Sequence, residues 1–171
     1  MKIASIDIGT NAIKSKIFKT TPASIEFIQG IRSPIRLGSD VFNEGSLSTG
    51  KLDQVIETIR EYEEIFKENS ISHYEIVATS AFRDTSNSED ARRYIETAIN
   101  HPLRVISGLE EAKLIRFHPK SNTGKNKIFV DLGVGVLNSL FAMNKKLLSD
   151  PFNLALCVIC CREIIKKNGN V

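Results

Sequence analysis

The first residues able to do chemistry are Ile6-Asp7-Ile8-Gly9-Thr10-Asn11, where an apolar strand runs into a carboxylate, a glycine and two short polar side chains. Strand periodicity puts Ile3, Ser5 and Asp7 on one face and Ala4, Ile6 and Ile8 on the other, carrying Asp7 toward the strand end. The turn has the composition of a phosphate cradle. Gly9 lets backbone N–H groups approach an anion with no Cβ in the way, and Thr10 and Asn11 add donors. A carboxylate beside such a turn repels phosphate unless a hard cation lies between them, so the same residues imply Mg²⁺. Taken alone, the stretch also fits a plain strand followed by an Asn-containing hairpin turn.

The design recurs downstream. Ile128-Phe129-Val130-Asp131-Leu132-Gly133-Val134-Gly135-Val136 again runs strand, Asp, one apolar residue, Gly, with a second strand expected over residues 136–143. Asp131 then answers Asp7 and Gly133 answers Gly9. Two such turns suggest two lobes facing one phosphate chain from opposite sides.

The intervening sequence supplies the scaffold. A strand is expected over residues 25–31 and a loop over 32–40, whose Arg32 and Arg36 could reach a phosphate or simply be solvated. Leu52, Val55, Ile56, Ile59, Tyr62 and Phe66 recur at three- and four-residue steps, predicting an amphipathic helix over 51–69. A short strand follows at 74–79, overlapping a polar loop at 79–84. Ser86-x-x-Glu89 reads as a capping box opening a helix to residue 100, with Ala91, Tyr94, Ile95, Ala98 and Ile99 inward. A strand at 103–106 leads to a second box, Ser107-x-x-Glu110, opening a helix in which Leu109, Ala112 and Ile115 pack. Residues 118–127 carry turn formers and no apolar residue, and read as a linker. The expected division is a first lobe at 1–120, then linker, hairpin and helix of a second lobe at 121–171. Strands first, then helices alternating with strands, make an α/β fold with a mixed sheet covered by helices. In open sheets of this kind ligands bind at the C-terminal strand ends, which puts Asp7, 79–83, 107–111 and Asp131 on one rim.

Composition bounds the partners. With 42% hydrophobic and 25% charged residues the chain is an ordinary globular one, and a net charge of +3 from scattered basic residues does not argue for nucleic acid. No apolar run approaches the ~20 residues of a membrane span, and Met1-Lys2 leads straight into the first strand, so a cytoplasmic protein without a membrane role is expected. Cys157, Cys160 and Cys161 have the spacing of half a zinc site or a redox pair. The other half is missing and His73, His101 and His118 are distant, so they read as buried thiols.

Together, Asp7-Ile8-Gly9-Thr10-Asn11, Arg36-Leu37-Gly38, Ala78-Thr79-Ser80-Ala81-Phe82-Arg83, Ile106-Ser107-Gly108-Leu109-Glu110-Glu111-Ala112 and Val130-Asp131-Leu132-Gly133-Val134-Gly135 resemble the exopolyphosphatase and guanosine pentaphosphate phosphohydrolase (Ppx/GppA) family. The resemblance runs from Met1 to about Phe152. It implies the actin-like ATPase (ribonuclease H-like) fold shared with sugar kinases and heat-shock chaperone ATPases. It also implies Mg²⁺-assisted hydrolysis of a terminal phosphate from inorganic polyphosphate or guanosine pentaphosphate. By position, Glu111 is similar to the family's catalytic base and Arg83 to the arginine that faces the phosphate chain. Asp7 and Asp131 would hold the metal, and Gly9, Thr10, Asn11, Gly133 and Gly135 the phosphate. Outside that context Glu111 reads as a first-turn helix acid and Arg83 as a surface ion-pair partner.

Two features depart from the family. Where its second cradle has three glycines, Ser, Thr and Glu, this chain has Gly133, Val134, Gly135, Val136, Leu137 and Asn138. Val134 prefers the β region and crowds a turn that needs close approach, so this half should bind phosphate and Mg²⁺ poorly. The family's other lobe also runs on the order of a hundred residues further. A module that binds polyphosphate or guanosine polyphosphates without turnover is therefore the alternative to the hydrolase. An assembly piece whose Asp131 hairpin pairs with a second copy is a third reading, and a sugar or acetate kinase of the same superfamily the least favoured.

Overall fold

The computed structural model describes residues 1–115, 127–133, 136–143 and 146–149, and side chains at 1–111, 113 and 114. They fall into two compact units that divide between Val105 and Ile106.

The first unit is a five-stranded sheet in the order β3-β2-β1-β4-β5. Strands β1 (Lys2–Ile8), β2 (Ala12–Thr20) and β3 (Ile25–Pro34) form an antiparallel meander, with Ile8 opposite Ile13 and Ala12 opposite Pro34. β4 (Tyr74–Ala78) lies parallel to β1 and β5 (Leu103–Val105) parallel to β4. Parallel strands need crossovers, and the helices provide them: α1 (Gly38–Glu44) and α2 (Thr49–Glu68) before β4, α3 (Ser80–Arg83) and α4 (Ser88–Ile99) before β5. The three-four stripe of α2 is buried in full, with Leu52, Val55, Ile56, Ile59, Tyr62 and Phe66 packed on Ala4, Ile6, Ile8, Ile13 and Ile17. Ser48 caps this helix by accepting a hydrogen bond from the Lys51 N–H. The Tyr62 hydroxyl bonds the Ile13 carbonyl (3.1 Å) and the Ser33 hydroxyl (2.9 Å), tying α2 to β2 and β3.

Several local expectations are corrected. β3 extends to Pro34, which an edge strand tolerates at its end, and α1 begins at Gly38, so the loop expected over 32–40 shrinks to residues 35–37. The polar loop after β4 holds the one-turn helix α3, with Ala81 and Phe82 buried. The Ser86 capping box does not form. The N-cap of α4 is Asn87, and its side chain turns away from the helix to accept from the Leu47 N–H (3.0 Å) and donate to the Leu47 carbonyl (2.9 Å). Tyr94 points outward, 44% exposed, its hydroxyl on Asp53.

The second unit begins with α5 (Gly108–Ile115) and a three-stranded antiparallel sheet of β6 (Lys127–Gly133), β7 (Val136–Met143) and β8 (Lys146–Ser149). β7 has the expected bounds, while β8 was not foreseen. The Ser107 capping box is complete. The Ser107 N–H and hydroxyl both donate to Glu110 Oε2 at 2.8 Å, and the Glu110 N–H donates back to Ser107 Oγ at 3.2 Å. Leu109, expected inward, is 49% exposed. The side chains of Ala112 and Ile115, most of the expected linker, and the three cysteines with the expected terminal helix lie outside the described residues. Among the described residues no helix is long and apolar enough to cross a membrane.

Candidate phosphate-binding site

The register places the C-terminal ends of β1, β3, β4 and β5 on one edge of the first sheet. There the hairpin turn at residues 9–12 is held from three sides. The Gly9 N–H donates to the Ala12 carbonyl (3.1 Å), and a Cβ on Gly9 would stand 3.2 Å from that oxygen, closer than a side chain sits comfortably. The Asn11 carbonyl accepts from the N–H groups of Ile35 (3.2 Å) and Arg36 (3.0 Å), and the Thr10 carbonyl from Gly38 (2.9 Å). Arg36 reaches this geometry in the left-handed region, at φ 57°, which costs a non-glycine residue about 1–2 kcal/mol. From the β4 side, the Thr10 and Ser80 hydroxyls meet at 2.6 Å, and the Thr79 N–H donates to the Ile8 carbonyl. Gly38 packs so tightly on Thr10 that an added Cβ would be driven into the threonine methyl.

The structure thus brings Gly9, Thr10 and Asn11 together with Gly38 and Ser80. The last two were quoted in motifs but assigned no role. A hydroxyl directly after a parallel strand was the available signal for Ser80. No sequence signal marks the fit of Gly38 on Thr10, because it depends on β3 returning beside β2. Arg83 closes the same one-turn helix that Ser80 opens, and residues three apart share a helix side. Its side chain is largely buried, with Nε 3.4 Å from Asp84 Oδ1. Asp7 is half-buried on the face opposite Ile6 and Ile8, across from Lys14. Asp40, in the first turn of α1, is pushed up by partial burial. Hydrogen bonds from the Ser48 hydroxyl and N–H and from Ser39, with the charge of Lys51, outweigh this and hold it below the ordinary carboxylate value.

The other expected residues belong to the second unit. Glu111 is in the first turn of α5, its N–H on the Ser107 carbonyl (3.0 Å) and its side chain only 1% exposed. A carboxylate so far from water is unusual outside functional sites. Asp131 and Gly133 lie in β6; Gly135 is outside the described residues. The repeat in the sequence is also one of register. Gly9 bonds Ala12 and Asp7 faces Lys14, while Gly133 pairs with Val136 and Asp131 with Asn138. In the sequence, Val134 and Gly135 follow Gly133 as Thr10 and Asn11 follow Gly9.

Asp7, two residues before the turn, could offer one carboxylate to Mg²⁺. Among the described residues no three or more His, Cys, Asp or Glu cluster as an all-protein cage. Mg²⁺ keeps several waters and takes one or two carboxylates plus substrate phosphates, a role open to Asp7 with the Thr10 and Ser80 hydroxyls nearby on the same edge.

An antiparallel β3-β2-β1 meander extended by parallel β4 and β5, with crossover helices, is the actin-like ATPase (ribonuclease H-like) fold. Residues 4–154 match the model of the Ppx/GppA phosphatase family, and the chain belongs to that family. An exopolyphosphatase from Cytophaga hutchinsonii is similar in structure (TM-score 0.79, 23% identity, 91% of this chain and 51% of that one). So are an exopolyphosphatase-like protein (TM-score 0.73, 29% identity, 88% and 47%) and the Aquifex aeolicus member of the Ppx/GppA family (TM-score 0.71, 24% identity, 90% and 52%). The chain spans about half the length of these solved relatives.

Proposed function

We infer that the chain carries the phosphate-binding lobe of an exopolyphosphatase-type hydrolase. It would remove a terminal phosphate from inorganic polyphosphate or guanosine pentaphosphate with Mg²⁺. The supporting observation is the turn at residues 9–12, clipped by Arg36, Gly38 and Ser80 at the sheet edge of a chain that belongs to this family. In this reading Gly9, Thr10 and Asn11 hold phosphate oxygens through backbone N–H groups and short side chains. The Arg83 guanidinium offsets charge on the transferred group. Asp7 and Asp131 would hold Mg²⁺, which supplies charge neutralisation at the phosphate oxygens. Glu111 orients a water and takes its proton as the water oxygen bonds to the terminal phosphorus and the bridging P–O bond breaks.

Release of inorganic phosphate from purified protein, polyphosphate and Mg²⁺ is the test, with loss in Glu111→Gln as the expected companion result. No release above background from the unmodified protein would remove the hydrolase. The second reading, binding without turnover, draws on the sequence repeat: Val134 stands where the first strand-Asp-x-Gly segment has the hydroxyl of Thr10. Calorimetric binding of polyphosphate without any phosphate release would favour it.

A further inference from the structure

We propose that Phe42 is the stacking platform for the base of a nucleoside polyphosphate whose phosphates occupy the turn at residues 9–12; this rests on the function inferred above. Phe42 is 62% exposed, the most exposed of the chain's described large apolar side chains. It is not remote from the site. Its Cε2 and Cδ2 atoms lie 3.2 and 3.4 Å from where a Cβ on Gly38 would stand, and the Thr10 methyl is closer still to that point. The ring therefore borders the phosphate turn while presenting most of its surface to solvent.

Ring chemistry selects between the two substrate classes. The face of an aromatic ring is the negative pole of its quadrupole, so a bare polyphosphate chain gains nothing there and is repelled by it. A nucleobase has a π face that stacks on a protein ring, and each such stack is worth about 1–3 kcal/mol by alanine substitution. Exposed Arg36 stands in the short loop before α1, on the other side of Gly38 in the sequence, and can meet phosphate or ribose oxygens. α1 is itself fixed: Asp40 accepts from the Ser48 N–H (3.1 Å) and hydroxyl (2.5 Å), and the Gly45 carbonyl accepts from the Ser86 N–H (2.9 Å). A ring on a clamped helix loses little freedom when a base covers it.

The sequence contains no tryptophan, so Phe42→Trp installs a single tryptophan, which can be excited apart from the tyrosines. The experiment titrates GTP and inorganic tripolyphosphate, each with Mg²⁺, into the unmodified chain, Phe42→Ala and Phe42→Trp, by calorimetry and, for the last, by fluorescence. The expected result is a loss of GTP affinity of about 5- to 150-fold in Phe42→Ala, following from the stacking range above. Tripolyphosphate affinity stays unchanged, and GTP but not tripolyphosphate quenches Phe42→Trp. Equal losses for both ligands, or no loss for GTP, would overturn the assignment of Phe42 and leave the phosphate site standing. If the unmodified chain binds neither ligand, the phosphate site itself falls and the base platform with it.

Discussion

Gly38→Ala tests how the turn at residues 9–12 is built. In an exposed helix this exchange ordinarily gains about 0.5–1 kcal/mol, because glycine loses more backbone freedom on folding. Here the new methyl meets the Thr10 methyl and, at 3.2 Å, the Phe42 ring. Phe42 is exposed and can swing aside, whereas Thr10 is pinned by its hydroxyl at 2.6 Å from Ser80 and by its carbonyl at 2.9 Å from the Gly38 N–H. Relief requires Thr10 to rotate and surrender the hydroxyl pair, worth about 0.5–1.5 kcal/mol. Otherwise the backbone must shift, and overpacking of this kind costs about 1–3 kcal/mol. The net expectation is a loss of about 0.5–2 kcal/mol in urea unfolding. Thr10→Ser removes the methyl and keeps the hydroxyl, so in that background Gly38→Ala should be neutral or stabilising. The cycle should then give a coupling of about 0.5–3 kcal/mol. A stabilising Gly38→Ala by itself, or an equal loss in both backgrounds, would refute the packing argument.

Asn87→Ala strips both hydrogen bonds from the Leu47 backbone, and because that backbone is partly buried the loss should be about 1–3 kcal/mol in thermal or urea unfolding. Asn87→Asp, which keeps the acceptor and loses the donor, should fall between. Tyr62→Phe should cost about 1–2 kcal/mol through the lost bonds to Ile13 and Ser33. Burial, opposed by the Ser33 hydrogen bond, pushes the Tyr62 phenol above its ordinary value of 10.0, so the unfolded chain releases this proton first. Its contribution is therefore whole below pH 10 and declines as pH rises through the higher folded value. Unfolding curves between pH 8 and 11 should show a shallower alkaline decline in Tyr62→Phe; an unchanged slope would contradict this.

Periodicity and local chemistry were legible in the chain where one element decides the outcome. The stripe from Leu52 to Phe66 specifies α2, since six apolar residues at helical steps have only one way to share a face. The Ser107 and Glu110 box closes within four residues and needs no distant partner. The strand-Asp-x-Gly repeat is likewise local, and its two hairpins share a register. The same reasoning failed for the Ser86 box and for Tyr94: the helix starts from Asn87 instead, and the side chains of Asn87 and Tyr94 find partners on segments about 40 residues away. Leu109 shows the same limit, because an apolar residue in a helix declares no direction without the surface it would meet.

From the residues alone came the phosphate-type turn, the α/β alternation and the positions able to carry charge. What only the tertiary structure decided was which of them meet. Strand order sets β3 beside β2 and β4 beside β1, so Gly38 lands on Thr10, Ser80 reaches the Thr10 hydroxyl, and Arg36 takes a left-handed backbone to bond Asn11. Each of these contacts joins segments that no sequence period relates. They exist because sheet pairing brings distant strand ends to one edge, where polar backbone must be satisfied by whichever neighbour the topology supplies.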